Sequence, residues 1–193
     1  MSEFVSVTYK CVGSDLKDLF KLYETFWTND EDRPRPHDVR KCEIDIAPIV
    51  TSLGFDLEKY DLHGLVINYR LEGKTLDIDY ITGYSEQIDF RKCIEARFPS
   101  IKVYYKEDDD QAGLYYTNDV SGDYFPTYYF ENYGNTIYCK TIEEAATNAS
   151  QITGSNVAPS AKDIYDALDK YYREHDICIE DCYRFMDYKV LND

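Results

Sequence analysis

The sequence predicts an α+β fold with an extended antiparallel sheet, helices on one face of that sheet and a C-terminal helical appendage. Segments in which apolar residues alternate, typical of strands, are interspersed with segments in which they recur every three or four positions, typical of helices. Hydrophobic residues make up 44% of the 193 residues, enough for a core. The linker-like stretch 154–159 precedes a final helical segment. We therefore expect one domain over 1–153 and a helical extension over 154–193.

The first strand and the first two helices are predicted from apolar spacing. Alternation over 5–11 indicates a strand. Apolar residues on one broad face of 16–27 indicate a helix, with Ser14 as its expected N-cap. A second helix is expected within 38–53, and Pro48 is tolerated only if it lies in the first turn of that helix.

A β-hairpin is predicted where two alternating segments flank a short turn. The segments are 64–71 and 74–81, and Glu72 and Gly73 lie between them as a two-residue turn. The alternation places Asp77 and Asp79 on the face opposite the apolar residues. One face of the sheet is therefore expected to be in contact with water.

The middle of the chain predicts a helix followed by strands. A helix should begin at Ser85 and end before Pro99. Two strands, over 101–106 and 113–118, are joined by an acidic turn, and a further strand is expected over 124–131. Because that last segment contains a proline, we expect it at an edge or a bulge.

The last third predicts a short strand and two helices. The strand covers 136–140, and the capping-box pattern at 141–144 indicates a helix to about residue 152. Ser160 is expected to begin the C-terminal helix. That helix is expected to carry a narrow apolar stripe with heptad-like spacing, formed by Ile164, Leu168, Tyr171, His175, Cys178, Cys182 and Phe185.

The order of predicted elements over 1–133 is β-α-(α)-β-β-α-β-β-β, a split βαβ arrangement of ferredoxin-like type. Within 80–134, a hairpin strand leads to a helix closing on Phe98 and Pro99, then to an acidic strand and the run AGLYY at 112–116. With these features, roughly the first two-thirds of the chain, to about residue 134, resembles the ferredoxin-like domain of YubB-type proteins carried by phages and plasmids. A tryptophan associated with the end of the second hairpin strand is missing here. The resemblance implies a mobile-element context and brings no catalytic residues.

Charge and tyrosine content favour protein binding. Lys and Arg number 21 against 37 Asp and Glu, a net charge of −16, and the chain has 20 tyrosines. An acidic surface repels nucleic acid and anionic membranes and attracts basic proteins. Tyrosine supplies rigid, amphipathic contact area at interfaces. We therefore expect no direct nucleic-acid or membrane binding.

The sequence also favours a cytoplasmic protein. No apolar run is long enough to cross a bilayer, and the N-terminus lacks the basic and apolar regions of a signal peptide. The six cysteines form no CxxC pair, as is typical of cytosolic thiols in a core. A secreted disulfide framework remains the alternative.

These features favour a non-enzymatic, acidic, mobile-element-encoded protein that blocks a basic partner, for example a nuclease or another nucleic-acid-binding effector. The most specific form of this function is an anti-defence inhibitor, such as an anti-CRISPR or a nucleic-acid mimic. Carboxylates can stand in for phosphates while tyrosines anchor the contact. The expected partner-binding residues are Glu107, Asp108, Asp109, Asp110, Asp119, Asp123, Tyr115, Tyr116 and Tyr124.

Several alternatives remain open. An immunity-type protein that neutralises a toxin would share this chemistry, and a small enzyme or metal-binding protein is also considered. His175, Cys178 and Cys182 share a helical face, as three metal ligands would. The 108–119 hairpin partly imitates a calcium loop, and 164–185 offers a stripe for a homodimer. The sequence predicts no catalytic residue, no metal and no cofactor.

Overall fold

The computed structural model describes residues 4–26, 44–83, 85–109, 111–132, 135–177 and 182–191. The chain is a mixed α+β protein whose sheets are largely antiparallel. It divides into two compact units, residues 1–114 and 115–193. Among the described residues, no helix is both long and apolar enough to cross a membrane.

The first unit is built on a five-stranded antiparallel run with the order β5-β1-β4-β3-β2. Its strands are β1 (Val5–Val12), β2 (Ile44–Asp45), β3 (Leu65–Glu72), β4 (Thr75–Thr82) and β5 (Lys102–Asp109). Its helices are α1 (Leu16–Glu24), α2 (Ile46–Ser52) and α3 (Ile88–Arg97), with a short 3-10 turn at Leu57–Lys59.

One face of this sheet carries the core of the first unit. Alternate residues of the central strand β1, including Val7, Tyr9 and Cys11, are buried. The ring of Tyr9 lies 5.8 Å from that of Phe90 on α3, and Tyr23 on α1 lies 5.1 Å from Tyr69 on β3. Helices α1 and α3 therefore cover the apolar side of the sheet.

The opposite face is polar and crossed by ion pairs. Lys10 pairs with Asp77 on the neighbouring strand at 3.3 Å. Asp79 accepts hydrogen bonds from Thr8 Oγ1 at 2.8 Å and from Asn68 Nδ2 at 2.9 Å. The prediction of a polar face is confirmed, although these side chains are half-buried by one another rather than fully exposed.

Gly13 forms a tight corner between β1 and α1. A Cβ atom at this position would lie 2.2 Å from the carbonyl oxygen of Ser100 and 2.8 Å from the Cα atom of Ile101. No real Cβ approaches backbone atoms so closely, so only glycine fits here. The next residue but one, Asp15, is the N-cap of α1, and its N–H donates to Ser100 Oγ at 3.1 Å.

The second unit contains a three-stranded antiparallel sheet of order β8-β7-β9. Its strands are β6 (Leu114–Thr117), β7 (Tyr128–Asn132), β8 (Asn135–Cys139), β9 (Arg184–Asp187) and β10 (Lys189–Val190), and β6 pairs with β10 in parallel. Its helices are α4 (Ile142–Thr153) and α5 (Ala161–Glu174).

Both helices of the second unit begin as the sequence predicts. Thr141 accepts a hydrogen bond from the N–H of Glu144 at 3.3 Å, and the Glu144 carboxylate accepts one from the N–H of Lys140 at 2.8 Å. Ser160 caps α5 by accepting from the N–H of Asp163 at 3.1 Å. Gly154 ends α4 in the left-handed conformation, with φ 66°.

The C-terminal segment is part of the second unit rather than an appendage. Ile164 and Leu168 of α5 are buried in one core with Ala145 and Ala149 of α4. Phe185, also in this core, lies on β9, which pairs with β7. The predicted boundary at 153/154 therefore falls inside a compact unit, and Ile164, Leu168 and Phe185 of the predicted stripe are core residues of that unit.

The predicted C-terminal helix is too long. It ends at Glu174, and Asp176 adopts a positive φ of 52°, which an α-helix cannot contain. His175 is the C-cap of α5, so the stripe breaks there. Cys178 lies outside the described residues.

Three smaller differences concern the boundaries of elements in the first unit. Asp15, not Ser14, is the N-cap of α1. The hairpin turn lies one residue later than predicted, since Glu72 pairs with Thr75. Helix α3 starts at Ile88, three residues after the predicted Ser85.

We expect Gly13→Ala to destabilise the protein by about 1–3 kcal/mol, because the added methyl group must displace the backbone at Ser100. The free energy of unfolding from urea titration measures this. Gly83→Ala is the matched control, since a Cβ there meets no atom within 4 Å. Equal stability of the two variants would contradict the close approach at Gly13.

Candidate functional site

The acidic residues predicted between 107 and 110 are largely engaged within the first unit. Glu107 is only 6% exposed and accepts a hydrogen bond from the Glu86 N–H at 2.7 Å. Asp108 pairs with Lys106 at 2.9 Å, and Asp109 accepts a hydrogen bond from the Ala112 N–H at 2.9 Å. Asp110 lies outside the described residues.

Burial governs the titration of Glu107. Loss of hydration raises its pKa; the hydrogen bond from the Glu86 N–H opposes this, and the neighbouring carboxylates, first that of Glu86, raise it further. The Glu107 carboxylate points into the core on the same side of β5 as Val103 and Tyr105. The prediction that it belongs to an exposed edge is therefore wrong.

Asp119 organises a loop instead of facing a partner. It is fully buried, and its Oδ2 atom accepts from the N–H groups of Tyr124 at 2.7 Å and Phe125 at 2.9 Å. The Ser121 hydroxyl donates to its other oxygen at 2.8 Å. Burial alone would raise the Asp119 pKa, but these donors outweigh it and hold the pKa below its usual range. The loop also explains why β7 begins at Tyr128 and not at the predicted residue 124.

The remaining predicted residues of the second unit differ in exposure. Asp123 is exposed and lies 3.6 Å from Lys140. Tyr115 is buried, with its ring 5.4 Å from that of Tyr188, so its predicted exposure is wrong. Tyr116 is half-buried beneath the Lys189 ammonium, 5.8 Å from its ring, and Tyr124 is half-buried as well.

His175 and Cys182, considered above as alternative metal ligands, belong to no metal-binding group among the described residues. His175 is exposed, and its Nδ1 atom lies 2.9 Å from the carbonyl oxygen of Tyr171. Cys182 is partly exposed on the segment that leads into β9. Within the described ranges no group of three His, Cys, Asp or Glu side chains is arranged to hold a metal ion.

A groove lies between α5 and β9 in the second unit. Its volume is about 660 Å³. Four aromatic side chains and one leucine form its apolar walls. These residues are Tyr165, Leu168, Tyr172, Tyr183 and Phe185. Its polar rim includes Glu131, Asp169 and Arg184. We call this surface the aromatic groove.

The walls of the aromatic groove are held by short contacts. The Tyr172 hydroxyl accepts a hydrogen bond from the N–H of Tyr183 at 2.8 Å and lies 3.3 Å from its carbonyl oxygen, to which it donates. The ring of Tyr165, which is 45% exposed, lies 5.0 Å from that of Phe185. Tyr172 therefore fixes α5 to the chain entering β9, and Tyr165 remains accessible.

A half-buried carboxylate lies beside these rings. Asp187 is the cross-strand partner of Tyr128, whose ring stacks on Phe185 at 6.1 Å with an interplanar angle of 9°. Burial is the main cause that raises the pKa values of Tyr128 and Tyr165, and the Asp187 charge raises both further. We call Tyr128, Tyr165, Phe185 and Asp187 the Asp187 cluster.

A buried polar network in the first unit was not anticipated from the sequence. Glu86 Oε1 accepts hydrogen bonds from the Tyr9 hydroxyl at 2.6 Å and from Arg91 Nε at 3.0 Å. The Tyr80 hydroxyl donates to that of Tyr9 at 2.9 Å and accepts from the Gln87 N–H at 3.0 Å. The network fixes the chain between β4 and α3.

The network has one signal in the sequence. Arg91 lies three residues before Ile94 and directly after Phe90, on the apolar face of the predicted helix. A charged residue there requires a buried partner, which Glu86 supplies. Nothing comparable marks Asp187, whose position depends on the pairing of β9 with β7.

Comparison with protein-family models, with curated proteins and with solved structures found no match. The resemblance to YubB-type domains therefore remains a hypothesis from the sequence. Surface chemistry of the described residues is the remaining basis for a functional proposal.

We expect Arg91→Met to destabilise the protein by about 3–5 kcal/mol, because it removes the arginine ion pair from the buried Glu86 carboxylate. Denaturant unfolding measures the loss. The double variant Glu86→Gln/Arg91→Met should recover part of it, since no unpaired charge remains. Arg97→Met, at an exposed position of the same helix, should change stability by less than about 0.5 kcal/mol. A loss at Arg97 as large as that at Arg91 would contradict this role.

We expect Asp119→Ala to cost about 3 kcal/mol, because three donors would lose a charged acceptor. Since folding lowers the Asp119 pKa, its stabilising contribution is present above the unfolded-state pKa and is lost as pH falls through the folded-state pKa. Unfolding measured from pH 7 to pH 2 should show the difference between variant and parent shrinking with acid. Asp123→Ala, in the same loop but exposed, should stay within about 0.5 kcal/mol. A pH-independent Asp119 effect would reject the assignment.

Proposed function

We propose that this chain is a non-enzymatic acidic protein that binds a basic protein and blocks its nucleic-acid-handling surface. The aromatic groove of the second unit, together with the Asp187 cluster, is the contact that we propose. The observation that carries the proposal is the presence of accessible tyrosine rings and carboxylates on one surface of a strongly acidic unit. A phage- or plasmid-encoded inhibitor of a host defence nuclease is the most specific form of this function.

The charge of the second unit supports a basic partner. Residues 115–193 contain 14 Asp and Glu against 6 Lys and Arg, a net charge of −8. A field of this sign accelerates encounter with a positively charged protein and disfavours contact with phosphate backbones. The excess of acidic residues supports a basic protein as the partner, and the aromatic groove supports the position of the contact on the second unit.

The groove supplies the apolar part of such a contact. Tyrosine is enriched among interface residues that contribute most to binding, because it buries a large ring at little cost in conformational entropy. Tyr165 offers an exposed ring whose orientation is supported by Phe185. Tyr172 and Tyr183 are joined by hydrogen bonds that fix the opposite wall.

The proposed surface replaces most of the one expected from the sequence. Glu107, Asp119 and Tyr115 are buried, whereas Asp123 and Tyr124 remain accessible candidates at the edge of the second unit. The physical idea is unchanged: carboxylates beside phenols meet a cationic surface. The residues that best satisfy it are those of α5 and β9.

We also propose that the first unit is a ferredoxin-like domain. Strands β1, β3, β4 and β5 with helices α1 and α3 follow the chain order β-α-β-β-α-β. These strands adjoin in the order β5-β1-β4-β3, and each neighbouring pair is antiparallel. This interleaving of two βαβ halves supports the assignment.

A photo-crosslinking amino acid at position 165 tests the proposed function in the organism that carries the gene. We expect the captured protein to be basic and to lose its binding to nucleic acid when the purified chain is added. A crosslinker at position 138, where Tyr138 is exposed on β8, is the control and should not enrich the same protein. Capture of an acidic protein, or equal capture from both positions, would reject the groove as the contact.

With the captured partner in hand, Tyr165→Ser should weaken binding by about 30-fold, the effect of losing an aromatic anchor of about 2 kcal/mol. Tyr138→Ser should weaken it by less than about twofold. Association should slow steeply between low and physiological salt, because charge steers the encounter. Calorimetry and stopped-flow measurements give both quantities, and equal losses from the two variants would contradict the proposal.

A further inference from the structure

We propose that the Asp187 cluster is a receptor for one arginine side chain of the basic partner, with the guanidinium held by the Asp187 carboxylate and packed against the rings of Tyr128 and Tyr165. This inference rests on the proposed function and specifies the chemistry of its contact. Three features of the second unit support it: an unpaired carboxylate, flat rings beside it, and a surplus of negative charge.

The first feature is the carboxylate itself. Asp187 is half-buried, and no described residue gives its side chain a hydrogen bond or an ion pair. Lys189 acts on it only electrostatically, and its ammonium lies over the ring of Tyr116. Burial raises the Asp187 pKa and outweighs the lowering effect of the Lys189 charge. A cation that reached it would be paired in a partly dehydrated setting, where charge pairs are stronger than at a fully exposed surface.

The second feature is the arrangement of the rings. Tyr128 lies opposite Asp187 across the β7–β9 ladder, and its ring is nearly parallel to that of Phe185. Tyr165 reaches Phe185 from α5, at an interplanar angle of 64°. Phe185 and Asp187 are two residues apart on one strand, so both side chains point to the same face.

These rings favour a planar cation. A guanidinium can stack on an aromatic face while its N–H groups bind a carboxylate in a two-pronged geometry. A lysine ammonium is a strongly hydrated point charge that does not match a flat surface as well. The geometry therefore points to arginine over lysine.

The third feature is the surrounding charge. Glu143, exposed in the first turn of α4, acts electrostatically on Tyr128 and adds a second carboxylate to this region. Lys189 is the cation that acts on Asp187 itself. The cluster thus combines a specific acceptor with a field that attracts positive charge.

Carboxylates of this unit pair with guanidinium and with ammonium groups alike, and Lys140, for example, lies 3.6 Å from Asp123. Arg184 lies 3.3 Å from Glu131, and Arg173 lies 2.7 Å from Asp169, both on or next to the rim of the aromatic groove. Those two carboxylates are already engaged by arginine. Asp187 has the same chemistry and no such partner.

The test uses a hexa-arginine peptide, with hexa-citrulline and hexa-lysine peptides as probes of charge and shape. We expect the arginine peptide to shift the ring resonances of Tyr128 and Tyr165 and to bind Asp187→Asn about tenfold more weakly than the parent. Asp176→Asn removes the same unit of charge from an exposed position of the same unit, where the positive φ of 52° is one that asparagine also adopts, and should weaken binding by less than twofold. The lysine peptide should bind several-fold more weakly than the arginine peptide, and the citrulline peptide should not bind measurably.

Asp187→Asn should keep the fold, because it removes a charge whose burial is unfavourable, and its amide spectrum checks this. Equal losses in Asp187→Asn and Asp176→Asn would overturn the receptor and indicate diffuse charge attraction only. Preference for lysine, or unshifted rings of Tyr128 and Tyr165, would overturn it as well. If only the crosslinking experiment at position 165 fails, the proposed function and its basic partner are lost, and Asp187 stands only as an arginine-binding site. If only the peptide experiment fails, the arginine receptor is lost and the proposed function stands.

Discussion

Much of this acidic chain depends on backbone N–H groups finding carboxylate acceptors. Asp119 holds the loop before β7 through the N–H groups of Tyr124 and Phe125, and Glu107 accepts from Glu86 beneath the sheet of the first unit. Glu95 accepts from Val103 where α3 meets β5, and Glu144 accepts from Lys140 at the start of α4. Because Glu107 and Asp119 are buried, they contribute to the formal charge of −16 but cannot contact a partner directly.

Local rules predict most of the elements, because their causes are local. The hairpin of β3 and β4 follows from alternation around a glycine turn, and the capping box predicts α4. The predicted C-terminal helix is too long because the apolar spacing continues past His175. In the structure the helix ends at Glu174, the backbone has a positive φ at Asp176, and the chain continues to β9. Pairing of β9 with β7 is a long-range interaction that no local spacing specifies.

For the candidate site, the sequence predicts the types of side chain but not which residues carry them. Composition indicates that carboxylates and phenols share the surface, but it does not say which of them face inward. Glu107 could have been assigned to the core, since it continues the alternation of Val103 and Tyr105. The burial of Asp119 and the position of Asp187 beside Tyr128 and Tyr165 arise from loop and sheet geometry, so they required the structure.

The tight corner at Gly13 has a consequence for recognising homologues of this chain. The space for a side chain there is filled by the main chain at Ser100 and Ile101, which no compensating side-chain change elsewhere can vacate. Any homologue that keeps this crossing should therefore retain glycine at the corresponding position even after its surface has diverged. A glycine directly after an alternating first strand can therefore serve as a marker in searches for distant homologues of this chain.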